Sequence, residues 1–422
     1  MMNDLFMTLF LREWDRRTYK VAPFEHERRI YLEHQWSLGF KKKTVQQHAW
    51  YQLIILGYFS QQIKEHQPIT KDEIIMARDD WSKKRHSNGF AQVTIKVERG
   101  SFVHVAKQWL EYIGLYRETE DVFYCSDILS EYLQWIVSVR GTPRRAKDGQ
   151  FYILRGLLKY LGERNISIND AKPIDIDSYL LFKSSEGCKR NSIASIIYVV
   201  RSFFRYLEER GICKNNISNA IRGPRIYKEE TIPSFLPWES IQHMLNTYPR
   251  ETPIQIRNYA ILLLYAIYGL RCSEALNLKL KDIDWRNETI FLARSKDSKP
   301  QLMPLVPLIG DAIVDYLQNV RPNETKEPEI FLSMRAPFCK LTSSVGYQIA
   351  HQAITKEDVT IKHRGPHALR HSVATHLVNT GHPMKEVADM LGHQTLDTTR
   401  IYAKVDFTNL KKVANMNWEE IL

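Results

Sequence analysis

Cysteine is scarce in this sequence, and long apolar runs and nucleotide-binding loops are missing from it. The five cysteines stand far apart in 422 residues and form no CxxC pair, which fits neither a disulfide framework nor a zinc knuckle and indicates a reducing cytoplasm. The longest apolar stretches, such as Ile261–Ile267, are shorter than the ~20 residues that a membrane span needs. The opening MMNDLFMTLFLREWDRR lacks the pattern of a secretory signal, and no GxxxxGK[ST] loop suggests a use of ATP.

Acidic residues are outnumbered, because 48 aspartates and glutamates stand against 59 lysines and arginines, leaving a formal net charge of +11. This excess favours an anionic partner such as nucleic acid, although a solvated basic surface gives the same total. Apolar residues at 44% and charged residues at 25% are typical of a folded soluble protein. At roughly 150 residues per domain, the length corresponds to about three domains.

Helical periodicity dominates the chain. Apolar residues recur at three- and four-residue spacing in Ile128–Val139, Gln150–Gly162, Ser192–Arg210 and Ile256–Gly269. Strand-like runs separated by polar turns are concentrated in one region, at Ile283–Trp285, Thr289–Ala293 and Gln301–Leu305. The sequence therefore predicts a mainly α protein with a small antiparallel β-sheet in its C-terminal domain.

Prolines and charges interrupt the helical pattern in IRGPRIYKEETIPSFLP. Because X-Pro steps favour extended backbone, we interpret residues 223–237 as a linker. A second break, RETEDVFYCSD, lies near residue 120. These breaks predict an N-terminal helical domain at residues 1–120, a second helical domain at 121–222 and a C-terminal domain at 238–422.

The first two predicted domains share a faint repeat. Tyr31-Leu32 parallels Tyr132-Leu133, and the lysines at 41–43 parallel the basic cluster around Arg144. Trp109–Tyr112 then parallels Phe203–Tyr206. The preserved order indicates a duplication, and the alternative is a chance likeness between two amphipathic helical bundles.

Two arginines, two histidines and a tyrosine occur in order after the linker, at Arg271, His367, Arg370, His393 and Tyr402. Arginine forks match phosphate oxygens and stay charged, whereas a tyrosine at its ordinary pKa of ~10 needs a neighbouring base before it attacks. The departing alkoxide needs an acid, for which the polar loop before the third strand offers Lys296 or Lys299. The set suits attack of a phenol on a phosphodiester.

These residues stand in motifs that resemble those of the tyrosine recombinases, the phage-integrase family of site-specific DNA recombinases. The chain has GLRCSEALNL at 269–278, SKDSK at 295–299, HALRH at 367–371 and LGH at 391–393. Tyr402 follows His393 by nine residues, which is the family spacing. The likeness covers about residues 235–407, and more loosely the helical block from residue 127.

The resemblance implies a role for each catalytic residue. Arg271 and Arg370 clamp the scissile phosphate and stabilise the charge of its transition state. His367 is the general base for the nucleophile Tyr402, and His393 hydrogen-bonds the phosphate.

The lysine of the family's β-hairpin corresponds to Lys296, which the resemblance makes the acid that protonates the departing 5′ oxygen. Lys299 is then a DNA contact, and Glu274 supports Arg271. The family often has glycines around this lysine, where this chain has Ser295 and Asp297.

The helical block before the linker resembles the family's core-binding domain, which closes over DNA opposite the catalytic domain as a clamp. Phosphate contacts are then expected at Arg144, Arg145, Lys147, Lys189 and Arg190. The implied partners are double-stranded DNA recombination sites, a homo-tetramer on DNA and accessory proteins, in a cytoplasmic, nucleoid-associated protein. No cofactor and no metal are expected.

Three alternatives accompany this interpretation. A type IB-like topoisomerase shares the phosphotyrosine chemistry, but the LGH and TTRIY spacing favours a recombinase. A DNA-binding protein without activity is opposed by the complete catalytic set. His363, His367 and His371 recur every four residues as metal ligands can, but no HExxH pattern occurs and the neighbouring arginine repels a cation.

Two segments lie outside the core resemblance. We predict that residues 1–120 are a second helical DNA-binding module, with phosphate contacts at Lys41–Lys43, Lys83, Lys84 and Arg85; a protein-interaction domain is the alternative. The tail Phe407–Leu422 has apolar residues at helical spacing, and the resemblance implies that it docks on a neighbouring protomer.

Overall fold

The structure is a computed structural model that describes residues 5–87, 92–118, 123–213, 216–225, 234–294, 300–323 and 325–392. Its described residues fall into two compact units. One spans Met1–Ile69, Glu73–Tyr116 and Thr231–Leu422, and the other spans Thr70–Asp72 and Arg117–Glu230. Within the described ranges, none of the helices combines the length and the apolarity that a membrane span requires.

The N-terminal block of the first unit is helical. Its helices are α1 (Leu5–Leu9), α2 (Glu13–Val21), α3 (Glu25–Ser37), α4 (Lys42–Lys64), α5 (Lys71–Ser87) and α6 (Gln92–Tyr112). Strand β1 (Ile69–Thr70) pairs with β2 (Tyr116–Arg117). Aromatic residues fill its core, where Tyr31, Tyr51 and Trp109 are buried, whereas Trp36 lies at the surface.

The second unit contains α7 (Ser126–Ser138), α8 (Arg144–Glu163), α9 (Pro173–Ser185), α10 (Arg190–Glu209) and the short α11 (Ile217–Ala220). Its core is separate from that of the N-terminal block and includes Tyr132, Leu158, Val200 and Phe203. The predicted helix at 150–162 begins earlier than its apolar pattern, at Arg144. Its first two turns are polar and largely exposed, so hydrophobic periodicity does not reveal them.

The C-terminal block belongs to the first unit and surrounds a long buried helix. Its helices are α12 (Trp238–Thr247), α13 (Pro253–Ile267), α14 (Cys272–Leu276), α15 (Pro307–Asn319), α16 (Ser343–Thr355), α17 (Pro366–Asn379) and α18 (Met384–Leu391). Thr252 and Gln255 form a capping box that starts α13, and every residue from Tyr259 to Ala266 is buried. Helix α13 is therefore the centre of this core.

A three-stranded antiparallel sheet lies on this block, built from β3 (Ile283–Asp284), β4 (Thr289–Leu292) and β5 (Gln301–Pro304) in that order. Leu292 pairs with Gln301 and Ile290 with Met303. Ile290 and Leu292 are buried whereas Phe291 is exposed, as a sheet with one covered face requires. The predicted fold class, mainly α with one small antiparallel sheet, is confirmed.

Candidate functional site

Arg271 lies at the turn between α13 and α14. Gly269 has φ +59°, a conformation that glycine adopts without the steric cost of a Cβ. Arg271 is the N-cap of α14, and Glu274 in the first turn accepts hydrogen bonds from the Arg271 backbone N–H at 3.0 Å and from its Nη1 at 2.6 Å. The Arg271 side chain remains 20% exposed, so it is held by Glu274 and still reaches the surface.

Glu274 is a buried carboxylate between two arginines, since Arg294 also bonds to it at 3.2 Å. Burial alone raises the pKa of the Glu274 carboxyl, but hydrogen bonds from Arg271 and the charges of Arg294 and Arg271 outweigh burial and lower that pKa to about 2. The carboxylate is therefore ionised at any working pH and keeps the guanidinium of Arg271 oriented.

Helix α17 supplies His367 and Arg370, three residues apart. Arg370 is buried, and its Nη1 and Nη2 donate to the carbonyl oxygens of Gly269 at 2.6 Å and of Leu391 at 2.7 Å. Because Gly269 is two residues before Arg271, both arginines meet at the α13–α14 turn. His367 lies one helical turn before Arg370 and is exposed.

His371 is the next residue on α17 and is largely buried. Burial, together with the charges of His367 and Arg370, lowers the pKa of its imidazole to about 4. His371 is therefore neutral near neutral pH. Among the residues that the structure describes, no group of three or more histidine, cysteine, aspartate or glutamate side chains is arranged to hold a metal ion.

Gly392 ends α18 in the left-handed conformation, with φ +66°, as glycine commonly does at the C-terminus of a helix. Four predicted site residues lie outside the described ranges: Lys296, Lys299, His393 and Tyr402. The described structure therefore brings together Arg271, Arg370 and His367, and the remaining predicted residues follow Arg294 and Gly392 in the chain.

Arg294 and Gln301 are residues of this site that the motifs did not reveal. Arg294 is fully buried and bonds to Glu274 and Gln301. A signal was present in the sequence, because Arg294 continues the period-two pattern of Ile290 and Leu292, whose side chains face inward. An arginine that faces the core needs a buried hydrogen-bonding partner, because an unpaired buried charge is costly.

The predicted phosphate contacts of the second unit lie at the starts of two helices. Arg144 and Arg145 are exposed residues in the first turn of α8, and Lys147 is partly exposed. Lys189 is the N-cap of α10 and Arg190 is its first residue, and both are exposed. All five are therefore accessible to an anionic partner.

Comparison with known proteins gives two family matches within the chain. The profile of the phage integrase family matches residues 234–409, and that of the phage integrase N-terminal SAM-like domain matches residues 152–211. The tyrosine recombinase XerC of Halalkalibacterium halodurans is 32% identical over 243 residues, which cover 56% of this chain and 78% of the relative. The tyrosine recombinase XerD of Listeria monocytogenes is 27% identical over 292 residues, which cover 68% of this chain and 97% of the relative.

Solved structures show the same fold. A crystal structure of the XerH site-specific recombinase bound to a palindromic difH substrate covers 69% of this chain and 84% of that one, with 20% identity and a TM-score of 0.54. The match to a lambda integrase dimer bound to a COC′ core site covers 65% of this chain and 94% of that one, with 17% identity and a TM-score of 0.51. The two family matches and the 32% identity to XerC over 78% of that relative establish that the chain belongs to the phage integrase family and is a tyrosine-type DNA recombinase.

Proposed function

We propose that this enzyme performs site-specific recombination by cleaving one DNA strand through a 3′-phosphotyrosyl bond to Tyr402. The phenol oxygen attacks the scissile phosphate, the 5′ oxygen leaves with a proton from Lys296, and the 5′-hydroxyl of a partner strand reverses the step. His367 accepts the proton of Tyr402, and His393 hydrogen-bonds the phosphate. The energy of the phosphodiester is retained in the protein–DNA bond, so no nucleotide cofactor is required.

The observation that carries the proposal is the position of two arginines at one turn. Arg370 bonds to the carbonyl of Gly269, and Arg271 follows two residues later with its guanidinium held by Glu274. Guanidinium groups that are held in position before the reaction stabilise the charge that develops on the phosphoryl oxygens in the transition state. An exposed imidazole on the same helix as Arg370 supports the assignment of His367 as the base.

The test uses nicked suicide duplexes tiled across the DNA that flanks the gene, from which the cleaved fragment diffuses away. We expect wild-type protein to form an SDS-resistant adduct, and mass spectrometry to find the nucleotides on Tyr402. Tyr402→Phe should abolish the adduct and bind DNA nearly as well, because affinity is spread over many phosphate contacts. Tyr347→Phe, at an exposed tyrosine in the same block, is the matched control.

Two results would contradict the proposal. Adduct formation by Tyr402→Phe at a comparable rate would remove Tyr402 as the nucleophile. Relaxation of supercoiled plasmids without the flanking DNA, combined with no strand exchange between two sites, would favour the topoisomerase alternative.

We also propose that residues 1–120 form a second helical DNA-binding module related to residues 121–222. Helices α3 and α7 begin and end 101 residues apart, and each follows a residue with φ 55°, Phe24 and Cys125. In both blocks this helix is followed by a longer one that starts with a basic cluster, at Lys41–Lys43 and at Arg144. Corresponding helices thus occur in the same order.

Corresponding tyrosines tie the helices together in both blocks. The Tyr31 hydroxyl lies 3.0 Å from His48 Nδ1 in α4 and 3.4 Å from Gln108 Oε1 in α6. The Tyr132 hydroxyl lies 3.0 Å from Gln150 Oε1 in α8 and 3.0 Å from Ser202 Oγ in α10. A chance likeness between bundles does not require the same polar link in the core, so these contacts support duplication.

Helices α6 and α10 also end alike. Gly114 and Gly211 both have positive φ, and the residue after each donates a backbone hydrogen bond to Leu110 and to Leu207 respectively. The same type of helix end thus occurs in both blocks, at a spacing that differs by three residues from the match between Trp109–Tyr112 and Phe203–Tyr206 made on sequence.

The tetramer, the accessory proteins and the tail remain part of the proposal. Residues 407–422 lie outside the described residues. We expect the tail to pack on a neighbouring protomer, since its apolar residues recur at helical spacing. The domain boundaries at 121–222 and 238–422, the clamp around DNA and the cytoplasmic location are likewise proposals that the family resemblance supports.

A further inference from the structure

The end of the β4–β5 hairpin is fastened to the end of α18 by a buried arginine. Arg294 follows β4 on the inward face, and its side chain is 0% exposed. Its Nη1 donates to Glu274 Oε2 at 3.2 Å, and its Nη2 donates to the backbone oxygen of Met390 at 2.6 Å. One guanidinium thus joins the helix of the Arg271 turn, the hairpin and α18.

Gln301 completes this junction from the opposite strand. Its Oε1 accepts from Arg294 Nε at 3.1 Å and Nη2 at 2.7 Å, and its Nε2 donates to the backbone oxygen of Asp389 at 3.1 Å. Because Leu292 pairs with Gln301, both sides of the hairpin reach the same helix end. Gly392 lies so close that a Cβ there would be 2.8 Å from Arg294 Nε.

The chemistry of a helix end explains why an arginine occupies this place. The last carbonyl groups of a helix lack intrahelical donors and carry the negative end of its dipole. The backbone oxygens of Asp389, Met390 and Leu391 are each met by a different side chain, those of Gln301, Arg294 and Arg370. A guanidinium has five donors spread over three nitrogens, whereas the donors of a lysine all lie on one nitrogen, so a lysine does not reproduce the bonds to Glu274, Gln301 and Met390.

We infer that Arg294 is a positioning residue for the cleavage step: it anchors the end of β4, the strand that leads in the chain to Lys296, the proposed acid. The inference rests on the proposed function, and it concerns Arg294, whose fully buried side chain bonds to protein groups. Lys296 follows Arg294 by two residues in the chain. A general acid contributes only when it is held near the atom that it protonates.

Loss of Arg294 should affect the hairpin more than the arginine clamp. Arg271 keeps both of its hydrogen bonds to Glu274 without Arg294. The end of α18 keeps its bonds to Arg370 and Gln301. On the β4 side of the hairpin, in contrast, Arg294 itself makes the bonds to Glu274 and to the end of α18, and these bonds are lost with it. The defect should therefore fall on protonation of the leaving group.

The experiment compares full-length wild type with Arg294→Lys on two suicide duplexes, at saturating protein and with rates expressed per bound complex. One duplex has the natural oxygen at the scissile 5′ position, and the other has sulfur there. Attack by Tyr402 forms the O–P bond in both, but the P–S bond breaks to a thiolate that needs no proton. We expect Arg294→Lys to cleave the oxygen substrate about tenfold more slowly or worse, and the sulfur substrate within threefold of wild type.

Arg286→Lys is the matched control, because Arg286 is an exposed arginine in the β3–β4 turn of the same sheet, and we expect it to cleave both substrates at the wild-type rate. Equal losses on the two substrates, or no loss on either, would overturn the role of Arg294. A merely structural defect lowers the active fraction and so affects both substrates alike.

If Arg294→Lys does not fold, Gln301→Met gives the same comparison, since it removes the acceptor of Nε and Nη2 and leaves the Arg294–Glu274 pair. A wild type that forms no adduct with either duplex contradicts the proposed function and this role with it. If wild type cleaves and Arg294→Lys cleaves the oxygen substrate equally fast, only the role of Arg294 is contradicted and the proposed function stands.

Discussion

Glu274 illustrates at the residue scale how a single buried charge organises the site. Its carboxylate side chain is 1% exposed and bonds to Arg271 and Arg294. Burying charged groups is costly unless each is paired and hydrogen-bonded, and breaking such a pair leaves an uncompensated charge inside the protein. The ionised state of Glu274 therefore stabilises the fold and orients Arg271 at the same time.

We predict that Glu274→Gln lowers the free energy of unfolding by about 3 kcal/mol near pH 7, as measured by urea denaturation. The folded-state pKa of Glu274 is depressed to about 2, so its contribution to stability is present above the ordinary carboxyl pKa near 4.5 and is lost as the pH falls towards 2. Because glutamine does not titrate, the stability difference from wild type should narrow below pH 4.5.

Glu251→Gln is the control for this prediction, since Glu251 is exposed in the same block, and its unfolding free energy should match that of wild type. A stability difference between wild type and Glu274→Gln that stays constant from pH 7 to pH 3 would show that charge is not the cause.

At the scale of elements, the end of α18 is the point that four separate segments share. The hairpin, α14, α17 and α18 meet there through Arg294, Glu274 and Arg370. Gly392 is the residue at which α18 stops, and its φ of +66° and its contact with Arg294 both exclude a larger side chain. Helix termination and site geometry therefore depend on the same residue.

We predict that Gly392→Ala destabilises the protein by about 1–2 kcal/mol, since a Cβ is costly in the left-handed region, and also slows cleavage by displacing Arg294. Gly381→Ala is the matched variant, because Gly381 has φ +92° with no atom within 4 Å of an added Cβ. It should lose comparable stability and keep its cleavage rate. Thermal unfolding and single-turnover cleavage measure the two effects, and equal cleavage by both variants would refute the link to Arg294.

At the scale of the whole molecule, the proposed duplication predicts that both helical blocks contact DNA phosphates. Lys41 and Lys43 are exposed at the start of α4, as Arg144 and Arg145 are at the start of α8. Each phosphate contact releases counterions, so the number of contacts sets the slope of log affinity against log salt concentration. The basic residues at the start of α4 and those at the start of α8 should therefore both add to the magnitude of this slope.

We predict that Lys41→Gln/Lys43→Gln reduces the magnitude of this slope by about 1–2, at about 0.9 per phosphate contact. Lys64→Gln is the control, because Lys64 is exposed at the other end of α4 and should leave the slope unchanged. Fluorescence anisotropy over a salt series measures it. An unaltered slope in the double variant would favour a protein-interaction domain for residues 1–120.

The sequence was sufficient for whatever depends on local pattern. Apolar spacing predicts the helices, and short strand-like runs between polar turns predict the three strands, because each is decided within a few residues of chain. The ordered motifs around Arg271, His367 and Arg370 indicate the family for a related reason: their spacing along the chain is itself the signature. The polar start of α8 at Arg144 was missed because it lacks an apolar pattern.

The tertiary structure alone decided which groups those side chains meet. The motif implies a phosphate clamp for Arg370, but its described hydrogen bonds go to carbonyls of Gly269, 101 residues away, and of Leu391. Arg294 gives no motif, and its partners come from α14, β5 and α18. Burial determines these partners, because a buried charge is costly unless it is paired and hydrogen-bonded. The partners are distant in sequence, so the local sequence does not identify them.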